Sequence, residues 1–158
     1  METQKTYTVE EAKSKLETYC SYQERCHAEV EKKLKSMGMI PQAADLIIAH
    51  LIENNYLNEE RFARAFARGK HRMKFWGRVR ITHELKSRGI SKYNIEAALK
   101  EIDPEEYHEL FEALAEKQWL TIRERSISSK KKKVADFLLR KGFESNMVYD
   151  KIAELSKI

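Results

Sequence analysis

Residues 58–100 read NEERFARAFARGKHRMKFWGRVRITHELKSRGISKYNIEAALK and carry twelve Lys or Arg against four Asp or Glu, a formal charge of +8. Residues 1–57 carry seven basic and nine acidic side chains, which give −2. Residues 101–158 carry eleven basic and twelve acidic side chains, which give −1. The basic surplus of the chain therefore lies in its middle third.

The first half of this stretch has the periodicity of an amphipathic helix. With Phe62 at the centre of one helical face, Phe66 and Met73 lie within about 40° of it, at 100° per residue. These three side chains are predicted to form a stripe that faces the core. The arginines lie together on the opposite side: Arg61, Arg64, Arg68 and Arg72.

Two further helices are predicted in the second half of the stretch. After Gly77, Ile81 and Leu85 form an apolar pair at i,i+4 spacing, and the segment closes at Gly89, a residue type that ends helices in the left-handed conformation. Ser91 is then a candidate N-cap for a third helix. Its inward positions are apolar: Ile95, Ala98, Leu99 and Ile102.

The same corner occurs three times along the chain, at glycines that lie 51 and 53 residues apart: Gly38, Gly89 and Gly142. A leucine stands four residues before each glycine: Leu34, Leu85 and Leu138. A β-branched residue stands eight before: Val30, Ile81 and Val134. A large apolar residue follows each glycine directly: Met39, Ile90 and Phe143. Further apolar residues stand ten and thirteen positions after each glycine. The pattern predicts three repeats of a pair of helices that meet at a glycine.

A further helical segment precedes each corner. In the first copy it opens with a capping box, Thr8 with Glu11, and in the third it opens with Asp103 as the cap and Pro104 at the first helical position. We therefore expect an all-α, elongated tandem array of three three-helix repeats with helix-turn-helix-like corners. The predicted units are residues 1–57, 58–102 (the strongly basic one) and 103–158.

Composition agrees with a helical chain, since 158 residues include only five Gly and two Pro. No apolar run approaches the roughly 20 residues that cross a bilayer, and the first residues lack the apolar core of a signal peptide. We therefore expect a cytoplasmic protein with no membrane partner. Cys20 and Cys26 are too few for a disulfide framework, and we interpret them as buried or half-buried free thiols.

No catalytic motif is present: there is no Gly-rich phosphate loop, no HExxH and no Gly-x-Ser-x-Gly elbow. The five histidines do not form the i,i+4 pair that would hold a metal. Paired glutamates such as Glu59 and Glu60 stand in first helical turns, where the helix dipole favours acids. We expect no enzyme activity, no catalytic residue, no metal and no cofactor.

The charge of the middle third is unusual for a solvated helix face, which normally mixes signs. Between Arg61 and Arg88 there are ten basic residues and one acid, Glu84. This imbalance favours binding to a polyanion or an acidic protein surface over simple solvation. The candidate binding residues are Arg64, Arg68, Arg72, Lys70, Lys74, Arg78, Arg80 and Arg88.

Two aromatic residues stand among these cations. Phe75 and Trp76 are candidate anchors that stack on a base or fill a protein hot spot, with core packing in the bend before Gly77 as the alternative. A lysine run, residues 130–133, is either a nucleic-acid contact or the solvated opening of the helix that holds Val134. A base-reading helix-turn-helix is disfavoured, because residues 92–97, which would enter the groove, carry one base and one acid.

The middle third resembles the central repeat of the bacterial RecX regulatory proteins. The resemblance rests on the acidic start and Arg-Phe-Ala triplet of residues 58–63, and on the Arg-x-x-Ile-x-x-Glu-Leu-x-x-x-Gly-Ile block of residues 78–90. The first repeat supports it through residues 33–38, KLKSMG, and the third repeat matches weakly.

The resemblance implies a small helical repeat protein that lies in the groove of the RecA–DNA filament. Such a protein inhibits the recombinase, ATPase and co-protease activities of RecA and so modulates DNA repair, recombination and the SOS response. The implied partners are the RecA filament and single- or double-stranded DNA without sequence specificity, and a monomer is expected. Arg64, Arg68 and Arg72 would contact phosphates or acidic side chains, with Arg61 paired to an acid of the adjoining repeat. The alternatives are a stand-alone nucleic-acid-binding helical protein and, with less support, an enzyme.

Overall fold

The computed structural model describes residues 6–157, and all regular structure in that range is helical. The first unit consists of α1 (Val9–Tyr22), α2 (His27–Ser36) and α3 (Pro41–Glu53). The second unit consists of α4 (Glu59–Lys74), α5 (Arg78–Ser87) and α6 (Lys92–Leu99). The third unit consists of α7 (Pro104–Thr121), α8 (Ile127–Lys141) and α9 (Ser145–Leu155). The predicted all-α array of three three-helix repeats is confirmed, while the division at residues 57/58 and 102/103 stays a prediction.

The three corner glycines have the left-handed backbone that the repeat pattern predicts. Their φ angles are +78° for Gly38, +75° for Gly89 and +96° for Gly142. The leucines and β-branched residues before them are completely buried: Leu34, Leu85, Leu138, Val30, Ile81 and Val134. A positive φ costs glycine little, so the chain turns sharply and the apolar faces of both flanking helices close on each other.

The helix starts also follow the predicted chemistry. Thr8 and Glu11 form a capping box at the start of α1, and the Asp103 carboxylate accepts a hydrogen bond from the Glu106 N–H at the start of α7. Ser91 caps α6 in the same way. These side chains satisfy N–H groups that have no partner inside the helix.

The buried residues form two cores. One core lies within the first unit and includes Leu16, Leu34 and Leu51. The other runs without interruption through the second and third units and also takes in Cys26 from the first. Both cysteines are buried free thiols, as predicted. The second and third units therefore share one core, whereas the first unit has its own.

The predicted core stripe of α4 needs one correction. Phe62 is buried and Phe66 is half-buried, but Met73 is 78% exposed. The buried side of α4 is instead completed by small and polar residues: Ala63, Ala67 and His71. Helix α4 packs on α6, which has only eight residues against sixteen in α4. His71, in the last turn of α4, is also buried, so the buried face is centred near Ala63 and Ala67 and not on Phe62, and Met73 lies outside it.

Candidate functional site

The eight candidate cations divide into two groups of four. The first group forms ion pairs with carboxylates: Arg64, Arg68, Arg78 and Arg88. The second group has no carboxylate partner among the described residues: Lys70, Arg72, Lys74 and Arg80. Their role in binding stays a prediction, but the structure separates compensated from uncompensated charge.

Glu101, which follows α6, joins the two central arginines of α4. Arg64 Nη1 donates to Glu101 Oε1 at 2.8 Å, and Arg68 Nη1 lies 3.3 Å from Glu101 Oε2. The hydrogen bond from Arg64 lowers the pKa of the Glu101 carboxyl, partial burial opposes this, and Arg68 adds to the lowering. Arg64 also donates to Glu60 one turn earlier. These two arginines therefore fasten α4 to the end of its own unit.

Arg78 and Arg88 are held by an acid and an aromatic ring each. The Arg78 guanidinium lies 3.9 Å from the centre of the Tyr107 ring and 3.6 Å from a carboxylate oxygen of Glu144. Arg88 pairs with Glu84 at 3.0 Å and lies 4.8 Å from the centre of the Phe66 ring.

Arg61 makes the contact with an adjoining repeat that the sequence suggested. Its Nε donates to Glu24 Oε1 at 2.6 Å, across the junction between the first and second units. Its other nitrogens donate to Asn55 and to the Tyr56 carbonyl. Arg61 therefore ties two units together, and this expectation is confirmed.

The uncompensated cations lie where α4 ends and α5 begins. We call residues 70–80 the basic corner. Lys70 and Arg80 lie over the Trp76 ring, 5.1 and 4.1 Å from its centre. Arg72 and Lys74 are exposed in the last turn of α4. Positive charge at a helix C-terminus is favoured by the helix dipole, but no acid of residues 6–157 neutralises it here.

The third unit docks directly against this corner. The Gly77 N–H donates to the Lys141 carbonyl at 2.7 Å, and the Val79 N–H donates to the Gly142 carbonyl at 2.9 Å. A Cβ at Gly77 would overlap the Gly142 carbonyl. Only glycine permits this close approach. No sequence pattern pairs these glycines, and sequence reasoning missed the contact.

Docking brings two further cations to the corner. Arg80 Nη1 donates to the Arg140 carbonyl, and Lys141 Nζ donates to the Lys74 carbonyl, both at 3.1 Å. Each cation therefore satisfies a carbonyl at the C-terminal end of the other unit's helix. Sequence reasoning missed Arg140 and Lys141, since they lie outside the basic stretch.

A buried network of hydrogen bonds and stacked rings holds the backbone of the basic corner in place. His71 is 5% exposed, and its Nδ1–H donates to the Trp76 carbonyl at 2.9 Å. The His71 ring stacks on Tyr107, whose hydroxyl accepts from the Arg78 N–H and donates to Glu144. Burial raises the pKa of the Tyr107 hydroxyl, the Arg78 N–H lowers it, and Glu144 raises it further, so the hydroxyl stays protonated.

The two aromatic candidates have different environments. Trp76 is half-buried, with the edge of its ring system towards Phe66 at 6.1 Å between centres and the two cations over it. Phe75 is 44% exposed and has a left-handed backbone, with φ +59° and ψ +37°. The predicted packing role in the bend therefore suits Trp76, whereas Phe75 faces solvent.

The lysine run lies in the first turns of α8, which begins at Ile127. Lys130 lies 4.3 Å from the centre of the Trp119 ring, and Lys133 pairs with Glu124. Lys132 is exposed. Lys130 and Lys133 thus have partners of their own within the third unit, and both sequence interpretations of the run stay open.

Residues 6–157 contain neither a metal-binding cluster nor a membrane-spanning helix. No group of three or more His, Cys, Asp or Glu side chains is placed to hold a metal ion. No helix in the same range is long and apolar enough to cross a membrane.

Comparison with family models finds matches in the second and third units. Residues 58–99 match the model described as RecX, second three-helix domain, and residues 105–152 match the model described as RecX, third three-helix domain. The third unit, whose sequence motifs resemble those of the family only weakly, therefore matches the family as well.

Curated relatives and solved structures carry the same name. The chain is 31% identical over 116 residues to the regulatory protein RecX of Pelodictyon phaeoclathratiforme, covering 73% of this chain and 71% of the relative. It is 29% identical over 143 residues to the regulatory protein RecX of Limosilactobacillus reuteri strain DSM 20016, covering 90% of this chain and 54% of the relative. For the regulatory protein RecX of Lactobacillus johnsonii the identity is 38% over 92 residues, which cover 58% of this chain and 34% of the relative. The chain thus spans about a third to a half of the length of these last two relatives.

The fold is similar to that of two crystal structures. RecX from Lactobacillus salivarius superposes with a TM-score of 0.79 at 29% identity, covering 95% of this chain and 97% of that one. A second structure, described as regulatory protein RecX, gives a TM-score of 0.78 at 27% identity, covering 92% of this chain and 73% of that one.

Proposed function

The chain belongs to the RecX family of regulatory proteins, and on this premise we propose that it binds the RecA–DNA filament and inhibits it. The inhibited activities are recombination, ATP hydrolysis and co-protease activity. The protein thereby modulates DNA repair and the SOS response. It works by binding, as a monomer in the cytoplasm, and performs no catalysis of its own.

The observation that carries this proposal is the uncompensated charge of the basic corner. Lys70, Arg72, Lys74 and Arg80 are spaced along one helix end and the next helix start, without a carboxylate partner in the part of the chain that the structure describes. A filament of DNA and recombinase protein presents phosphates and acidic side chains, and cations without internal partners gain most from such groups. Contacts of this kind carry no base specificity, so binding to single- or double-stranded DNA follows the charge alone.

The elongated array supports the same role. An extended chain of units presents surface along its length, as repeat proteins do when they bind long partners. The Arg61 bridge between the first two units and the backbone bonds between the last two hold neighbouring units in register. A groove-binding regulator needs such a register, because its contacts must match a periodic partner.

The test is the DNA-dependent ATPase of the cognate RecA protein on single-stranded DNA, with this protein added below the RecA concentration. The wild type should inhibit. The double variant Arg72→Glu/Lys74→Glu should need at least about tenfold more protein for half-inhibition, since four units of charge change on the surface that meets the filament. The matched control is Lys32→Glu/Lys35→Glu, which makes the same charge change on exposed positions of α2 and should inhibit like the wild type.

An absence of inhibition by the wild type would contradict the proposal. If DNA binding with a steep salt dependence remained in that case, the alternative function, a stand-alone nucleic-acid-binding protein, would take its place. Equal loss in the control variant would show that net charge, and not the basic corner, determines binding.

A further inference from the structure

The basic corner carries apolar surface as well as charge. Met73 is 78% exposed, Phe75 44% and Val79 54%, and all three lie within seven residues. Each belongs to a different local element: the last turn of α4, its C-cap, and the first turn of α5. Large apolar side chains among cations are typical of the centres of protein interfaces, where Phe and Met are enriched.

The backbone of Phe75 singles it out within this patch. Its φ of +59° is a region that bulky residues rarely adopt. Three other helix ends use glycine for it, Gly38, Gly89 and Gly142, and the end of α3 uses Asn55, with φ +62°. The conformation is held by bonds from the Phe75 N–H to the His71 carbonyl and from the Trp76 N–H to the Lys70 carbonyl. Glycine would make the same turn without strain. A phenylalanine that adopts this conformation and is 44% exposed points to a use outside the fold.

The Trp76 ring, next to Phe75 in the chain, already has contacts within the protein. Trp76 has Lys70 and Arg80 over it and Phe66 beside it, so its faces are engaged within the protein. The open aromatic surface is that of Phe75, and its exposed companions are aliphatic. A nucleic-acid base needs a flat stacking partner, whereas Met73 and Val79 suit an apolar side chain.

The charges around this apolar patch indicate which charged groups a binding partner must carry. Glu144, which lines one surface depression with Val79, is engaged by Arg78 at 3.6 Å and by the Tyr107 hydroxyl at 2.7 Å. Arg72 and Lys74 are exposed and have no carboxylate partner within residues 6–157. A partner that covers this surface must therefore bring its own carboxylates, because covering unpaired cations with apolar groups would be unfavourable.

We propose that residues 72–79 form a docking site for an acidic, amphipathic segment of the recombinase protein, with Phe75 as the apolar anchor. Arg72 and Lys74 pair with the carboxylates of that segment, and Met73 and Val79 flank its apolar side chain. This inference rests on the proposed function and assigns the corner to the protein component of the filament. DNA phosphates are then met by cations outside residues 72–79.

The experiment uses the variant Phe75→Gly in the full chain. Glycine suits the left-handed backbone, so the melting temperature should be unchanged or raised. Half-inhibition of the RecA ATPase should need at least about tenfold more protein, as for loss of a hot-spot side chain. Binding to a fluorescein-labelled poly-dT oligonucleotide, measured by anisotropy, should stay within about twofold of the wild type.

Two further variants complete the design. Val79→Ser tests the flank of the site without touching the left-handed residue, and should also weaken inhibition while leaving DNA binding in place. Tyr93→Ser removes an exposed aromatic ring, 73% accessible, elsewhere in the second unit and should behave as the wild type.

The possible outcomes separate the two proposals. If the wild type inhibits and Phe75→Gly and Val79→Ser inhibit equally well, the docking site is wrong and the proposed function stands. If Phe75→Gly loses DNA binding in parallel with inhibition, the ring stacks on bases and the docking site is again wrong. If the wild type itself does not inhibit, the proposed function fails, and the docking inference fails with it.

Discussion

The two ends of α4 carry basic side chains at similar density in opposite electrostatic surroundings. The cations towards its N-terminus all have carboxylate partners: Arg61, Arg64 and Arg68. Those at its C-terminus have none among the described residues: Lys70, Arg72 and Lys74. Two of these partners are remote in the chain, since Glu24 lies 37 residues from Arg61 and Glu101 lies 37 residues from Arg64. One helix can therefore be structural at one end and open to a partner at the other.

This difference concerns electrostatic potential more than stability. Exposed ion pairs contribute roughly 0–1 kcal/mol, so the arginines of the first group add little to the fold individually. Their pairing does remove their charge from the field that a distant polyanion senses. Uncompensated cations keep theirs, and the C-terminal end of α4 is where the field of the second unit should be strongest.

The largest effect is expected from disrupting the contact between the third unit and the residues that follow the C-terminal end of α4. Gly77→Ala places a Cβ on the Gly142 carbonyl, and it should destabilise the protein by about 3 kcal/mol through overpacking and loss of the backbone bonds between units. Urea unfolding followed by circular dichroism measures it. The matched control is Gly69→Ala in the middle of α4, where a Cβ meets no atom within 4 Å and should stabilise by about 1 kcal/mol.

A similar small gain for both alanines would show that the junction opens freely in solution. In that case the basic corner would not be held by the third unit, and the contrast between the two ends of α4 would lose its structural basis.

A smaller effect is expected from removing charged side chains at either end of α4. Those at the C-terminal end are unpaired within residues 6–157, and those towards the N-terminus are paired. Arg72→Gln/Lys74→Gln should raise the concentration for half-inhibition of the RecA ATPase about tenfold, since these cations have no internal partner. Removing a paired charge together with its partner, in Arg64→Gln/Glu101→Gln, should raise it by no more than about threefold, because the net charge there does not change. Glutamine is polar and uncharged at all four positions. Equal losses, or a larger loss from the second pair, would place the binding surface along the whole helix.

The smallest effect is expected in the dependence of protein stability on pH in the acidic range. The pKa of Glu101 is lower in the folded protein than in the unfolded chain, through Arg64 and, less strongly, Arg68. Its contribution is therefore present at neutral pH and is lost as pH falls through the folded pKa. Glu101→Gln should lower the melting temperature by about 1–2 °C at pH 7 and by less at pH 3. A shift of the same size at both pH values would mean that the carboxylate charge does not contribute.

The candidate site was only partly predictable. The cations and the aromatic pair were identified from the sequence, as was the link from Arg61 to an adjoining unit. The burial of Met73 was wrongly predicted, because the large apolar side chains centred the predicted face on Phe62, whereas the packed face is centred near Ala63 and Ala67. The pairing of Arg64 and Arg68 was missed, because Glu101 is distant in the chain.

What the sequence determined by itself is the repeating architecture of this RecX-family protein. Helix spacing, caps such as Thr8 and Asp103, and the glycine corners act over a few residues, and each is encoded where it acts. What only the tertiary structure decided is which charges are balanced and which apolar side chains stay exposed. Both depend on distances between residues far apart in the chain, and packing sets these distances through contacts such as that of Gly77 with Gly142.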